Sequence, residues 1–102
     1  YTYVVGDGST SASGRSSNNT KVFITLTSGT GKIQVARTNF MNYQNTSVNK
    51  TILTRYDDPE SYASIIVGLW RSTSAINIIT ITGSGGNIPS GTTFTLYGIA
   101  AA

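Results

Sequence analysis

Apolar residues in this chain recur at every second position, run after run, and nowhere at helical spacing. Residues 21–27, KVFITLT, set Val22, Ile24 and Leu26 against Phe23, Thr25 and Thr27, the period of a half-buried strand. A tight turn, residues 28–31 (SGTG), follows, and residues 32–37 alternate again through Ile33 and Val35. Residues 1–5 open with a weaker alternation, and residues 6–19, GDGSTSASGRSSNN, read as a surface loop. Residues 40–43 and 51–55 suggest two strands flanking an exposed polar connection, residues 44–50. Asp57, Asp58, Pro59 and Glu60 break the pattern, because Pro59 cannot sit in a central strand. Residues 62–70 contain the nearly continuous apolar run SIIVGLW, which fits a strand covered on both faces. Residues 76–82 (INIITIT) and 92–99 (TTFTLYGI) are the clearest remaining strands. In the last of these Phe94 and Leu96 share a face with Gly98 and are expected to point into the core. The pattern predicts seven or eight strands in an all-β fold, an antiparallel sandwich of jelly-roll type.

Composition agrees with that class. At 102 residues the chain is expected to form a single domain with one core, and no fixed-period repeat suggests a propeller or solenoid. Only 11% of residues are charged and 38% are hydrophobic, so the balance is Ser, Thr, Asn and Gly. This is not the high net charge or proline content of disorder, and Thr, Val, Ile and Tyr favour a pleated surface. The net charge of +3 is carried by cations scattered singly. A nucleic acid needs a stripe that neutralises several phosphates together, so no nucleic-acid partner is expected. No apolar run approaches the roughly 20 residues of a membrane-spanning helix, and membrane insertion is not expected either. The chain opens on Tyr1 in what reads as the middle of a strand, so the native polypeptide is expected to extend N-terminally, making this its C-terminal part.

Candidate chemistry is sparse. The chain has neither His nor Cys, which removes the Ser-His-Asp and Cys-His arrangements and any disulfide framework. No enzymatic role, cofactor or metal is expected. Asp57, Asp58 and Glu60 form the one conceivable acid/base or calcium cluster, without a recognisable ligand spacing. Tyr56 and Tyr62 bracket that loop. Aromatic faces beside carboxylates suit sugars, so Tyr56, Asp57, Asp58, Glu60 and Tyr62 are the candidate surface-binding residues. Gly29-Thr30-Gly31-Lys32 fails as a phosphate loop, since Leu26 stands where the first glycine belongs and Ile33 where Ser or Thr is needed. Asn18, Asn45 and Asn49 each open a formal glycosylation sequon, expected by chance in a chain of this composition. Trp70 is expected to cap the core, with a ligand-stacking role as the alternative.

The segment from Gly68 to Ile99 resembles the end of a jelly-roll-like domain of tailed-bacteriophage structural proteins. There a GLWRST-A-I element, a turn-rich spacer with GN and a terminal G-TFTLYGI occur in this order. Upstream, residues 42–55, NYQNTSVNKTILTR, look like that family's DYANTS--KT-LSR segment, and residues 6–10 resemble its glycine-rich loop. Family members usually carry further strands before the position of Tyr1, where this chain departs from the pattern. The resemblance implies a non-enzymatic component of the virion exterior, a tail fibre or spike, or a head fibre or capsid decoration protein. It also implies a homo-oligomer, typically a trimer, with other virion proteins and a host-surface glycan as partners. A secreted carbohydrate-binding or adhesion module is the alternative, and a depolymerase fragment a second.

Overall fold

The computed structural model describes residues 1–24, 33–83 and 87–99. Five strands lie among them: β1 (Thr2–Gly6), β2 (Ser11–Arg15), β3 (Val35–Met41), β4 (Lys50–Asp58) and β5 (Tyr62–Trp70). They form one sheet in the order β2-β1-β5-β4-β3, and every neighbouring pair is antiparallel. The all-β class is therefore correct, with no helix among the described residues. The most apolar strand, β5, takes the centre. The polar SASGR of β2 sits at one edge, where few apolar side chains are needed.

Antiparallel register sorts the side chains onto two unlike faces. On the inner face β4 buries Lys50, Ile52, Thr54, Tyr56 and Asp58, while β5 contributes Ser64, Ile66 and Gly68. Thr54 meets Thr38 of β3 through their hydroxyls at 3.0 Å, a directly cross-strand pair. Tyr56 and Ile66 have no exposed surface, and burying side chains of this size stabilises by about 1.5–3 kcal/mol each. Part of the inner cover comes from the chain just after β2. Val22 lies over Gly68, where an added Cβ would stand 3.0 Å from both Val22 methyls, and Phe23 meets the Tyr1 ring edge-on at 5.5 Å. The outer face is different. Val4, Ile65, Val67 and Leu69 lie along β1 and β5 in solvent, each close to half exposed.

Several expectations change. The described residues supply five strands in one sheet rather than seven or eight, and a second sheet is not formed by them. Residues 21–24 are outside any strand, although Val22 and Ile24 are still the half-buried positions. Residues 25–32, including the expected turn at 28–31, lie outside the described residues. β2 falls inside the segment read as loop, because a polar edge strand carries no hydrophobic alternation. Residues 35–37 and 40–41 belong to the single strand β3, which ends at Asn42 in the left-handed conformation (φ 57°). Strand β5 is covered on one face, not two, since Ser64, Ile66 and Gly68 are buried and Ile65, Val67 and Leu69 are not. Residues 76–82 and 92–99 belong to no strand, and Phe94 and Leu96 are exposed rather than core. Alternation reports the capacity to pair, but a ladder also needs a free edge within reach.

Candidate functional site

The β1–β2 and β4–β5 turns lie at the same end of the sheet, because β1 pairs with β5 so that Gly6 stands opposite Ala63. Between them opens a cleft of about 440 Å³ whose lining includes Asp7, Asp57, Asp58, Pro59, Glu60 and Tyr62. All four carboxylates of the chain are thus at one end. Arg15, Lys50 and Arg71 are near the opposite end, as the register of β2 with β1 and of β4 with β5 requires.

Two hairpin turns and the end of β4 place the acidic side chains. Residues 7–10 close the β1–β2 hairpin, with Gly8 at φ 89° and the Asp7 N–H donating to Thr10 O at 3.1 Å. Asp7 Oδ1 accepts the N–H groups of Thr10 (2.6 Å) and Ser9 (2.9 Å), and Oδ2 accepts the Thr10 hydroxyl at 3.0 Å. The Thr10 N–H foremost, then that of Ser9 and the Thr10 hydroxyl, hold the Asp7 carboxyl below the usual carboxylate range. A group with a lowered folded-state pKa lends stability above its unfolded pKa and loses it as pH falls through the folded value. An NMR titration is expected to place the Asp7 midpoint below that of an aspartate in an unstructured peptide. A midpoint at or above the peptide value would remove this account of the turn.

In the second hairpin Asp57 and Asp58 are the last residues of β4, so alternation sends Asp57 to the outer face and Asp58 to the inner. Asp58 Oδ1 accepts the Glu60 N–H at 3.1 Å, and the Ser61 N–H donates to Asp58 O at 3.0 Å. Asp58 is only 2% exposed, and its Oδ2 and the Ser64 hydroxyl are both buried without a hydrogen-bond partner among the described residues. Glu60 is exposed in the turn, and Tyr62 is 39% exposed at the start of β5.

Of the five expected surface residues, the structure leaves Asp57, Glu60 and Tyr62 accessible around the cleft. Tyr56 is corrected. It is an even-numbered β4 residue on the inner face with no exposed surface, so its ring is core and cannot serve as a platform. Asp58 is buried as well. Opposite faces also explain why the carboxylates do not converge, and among the described residues no three acidic groups come together in a way that could hold a metal ion. What remains is a shallow acidic cleft with one tyrosine, able to accept hydrogen bonds from hydroxyl or ammonium groups. Sequence reasoning missed Asp7, which reaches this end only through the long-range β1–β5 pairing.

At the other end of the sheet the residues of the NYQNTSVNKT stretch have a structural role. Asn45 Oδ1 accepts the N–H groups of Ser47 (2.7 Å) and Val48 (3.1 Å), and the fully buried Lys50 ammonium donates to the carbonyls of Asn45 (2.5 Å), Val48 (2.8 Å) and Thr73 (3.0 Å). Trp70, at the end of β5 beside them, is 41% exposed and so covers the core only in part.

Compared with models of known protein families, with curated proteins and with solved structures, the chain matches none.

Proposed function

We propose that this chain is a non-enzymatic building block of the exterior of a tailed-bacteriophage virion, a tail fibre or spike, or a head fibre or decoration component, acting by assembly. The observation that carries the assembly part is the outer sheet face. Val4, Ile65, Val67 and Leu69 form a contiguous apolar strip across β1 and β5 that a free-standing domain gains nothing by leaving in water. The virion part rests on the resemblance of residues 42–55 and of the segment from Gly68 to Ile99 to phage structural domains. On this reading the partners are copies of the chain, as a trimer, and other virion proteins. The acidic cleft with Tyr62, at the β1–β2 and β4–β5 turn end of the sheet, is where a host-surface glycan would be met.

Light scattering at micromolar concentration is expected to give a mass near three times 10.8 kDa, and imaging of an intact particle to locate the chain on its surface. A monomer at that concentration overturns the assembly reading. Binding to a glycan array without symmetric assembly would replace it by the carbohydrate-binding module.

A further inference from the structure

The chain from Ser72 onward contains no charged residue. Its apolar side chains occupy both alternating sets: Ile76 and Ile78 on one, Ile79 and Ile81 on the other, then Phe94 and Leu96 against Tyr97 and Ile99. A strand with apolar residues on both sides is suited to burial on both sides. Yet none of the described residues here is in a strand, and Ile78, Leu96, Tyr97 and Ile99 are each more than three-quarters exposed.

The segment is nevertheless rooted. Thr73 O is held by Lys50, and the Ile76 N–H donates to Tyr43 O at 2.7 Å. The far end returns to the same residue, where the Tyr43 hydroxyl donates to Ile99 O at 3.5 Å. Between these points the described chain runs out and back, with the Thr92 N–H to Pro89 O turn at 3.3 Å inside it. It is an arm anchored at both ends beside the β3–β4 connection.

The chain as a whole leaves more surface uncovered than a compact domain would. A folded monomer of 10.8 kDa is expected to expose about 5,500 Å². This chain exposes 7971 Å², an excess of roughly 2,400 Å². Its radius of gyration, 14.6 Å, likewise exceeds the roughly 13 Å of a compact chain of this length. A stable interface takes about 800 Å² from each partner, so the excess suffices for contacts with more than one neighbour. A matching surface is present. The β1–β5 half of the outer face (Val4, Ala63, Ile65, Val67, Leu69) carries no charge, and an uncharged arm covers it without desolvating an ion.

We infer that residues 76–83 and 87–99 form an exchange arm that packs on the outer sheet face of a second copy, so that the oligomer is intertwined rather than merely side by side. The inference rests on the assembly reading and names its contact: the arm of one copy against Val4, Ile65, Val67 and Leu69 of the next. It supplies a cover for the outer face, which a single copy leaves about half exposed at Val4, Ile65, Val67 and Leu69.

The chain has no cysteine, so introduced pairs report without background. Protein carrying Val67→Cys, co-refolded with protein carrying Leu96→Cys under oxidising conditions, is expected to give a disulfide-linked product of twice the chain mass. Leu96→Asp is expected to shift the light-scattering mass to that of one chain while the β-type circular dichroism spectrum is retained. If wild type is oligomeric but no product joins positions 67 and 96 and Leu96→Asp leaves its mass unchanged, the arm inference falls and the assembly reading stands. A doubly substituted chain that closes the disulfide within one copy also overturns it, since the arm would then cover its own sheet. A wild-type monomer overturns both.

Discussion

Lys50→Ala is expected to cost about 3–5 kcal/mol, enough to leave a marginally stable domain largely unfolded. A lysine ammonium has three donors, and here it donates to three carbonyls, those of Asn45, Val48 and Thr73. Two of those carbonyls belong to the β3–β4 connection and one, 23 residues beyond Lys50, to the chain after β5, so a single side chain ties the two segments. Truncation removes the packed four-carbon stem together with three hydrogen bonds from a charged donor, each worth about 1.5–3 kcal/mol before water re-solvates the freed carbonyls. Lys50→Met separates the two contributions, since it keeps most of the stem volume and removes only the donors. It is expected to fall between wild type and alanine. Chemical denaturation measures both, and a Lys50→Ala midpoint within about 1 kcal/mol of wild type would show that the three carbonyls find other partners. Loss of the Thr73 anchor should also loosen the root of the arm, so the mass measured for Lys50→Met by light scattering should fall as well.

How far the sequence could be read depended on what each residue answers to. Strand β5 was legible to the residue, residues 62–70, because a central strand is chosen by its own apolar content. The alternation of β4 was legible only as residues 51–55. Asp57 and Asp58 read as the start of a turn, whereas the strand continues through both and the turn begins at Pro59. Strand β2 was illegible because nothing in SASGR needs burying; it pairs since β1 offers a free edge four residues earlier in the chain. Residues 76–82 and 92–99 fail in the opposite sense, with the strongest pattern in the chain and no ladder within one copy. The candidate site divides the same way. Asp57, Glu60 and Tyr62 are near in sequence and meet at one turn, whereas Asp7 joins them through a β1–β5 pairing that no local signal announces. Tyr56 was misjudged because a tyrosine beside acidic residues reads as surface until the register assigns it a face. The register puts Tyr56 opposite Ser64 and Tyr62 opposite Asp58, so both rings are on the inner face and only depth along it separates the buried one from the accessible one.

Two adjacent isoleucines on β5 separate folding from assembly. Ile66 points to the inner face, stands opposite Thr54 and Tyr3, and has no exposed surface. Ile65 points to the outer face, opposite Val4 and Arg55, and is 51% exposed. Ile66→Ala is expected to cost about 2–5 kcal/mol, the lost transfer of three carbons plus the cavity they leave, and to do so at every protein concentration. Ile65→Ala removes the same atoms from a surface that one copy leaves half in water. It is expected to cost well under half as much in the dilute monomer, yet to weaken the concentration-dependent association that buries the outer face. The contrast is read in two experiments: denaturation midpoints at low concentration, and light-scattering mass as a function of concentration. Equal midpoints for the two variants would mean that the faces are not distinct in solution. An unchanged association curve for Ile65→Ala would mean that copies meet elsewhere, and that the apolar strip from Val4 to Leu69 is not what joins them.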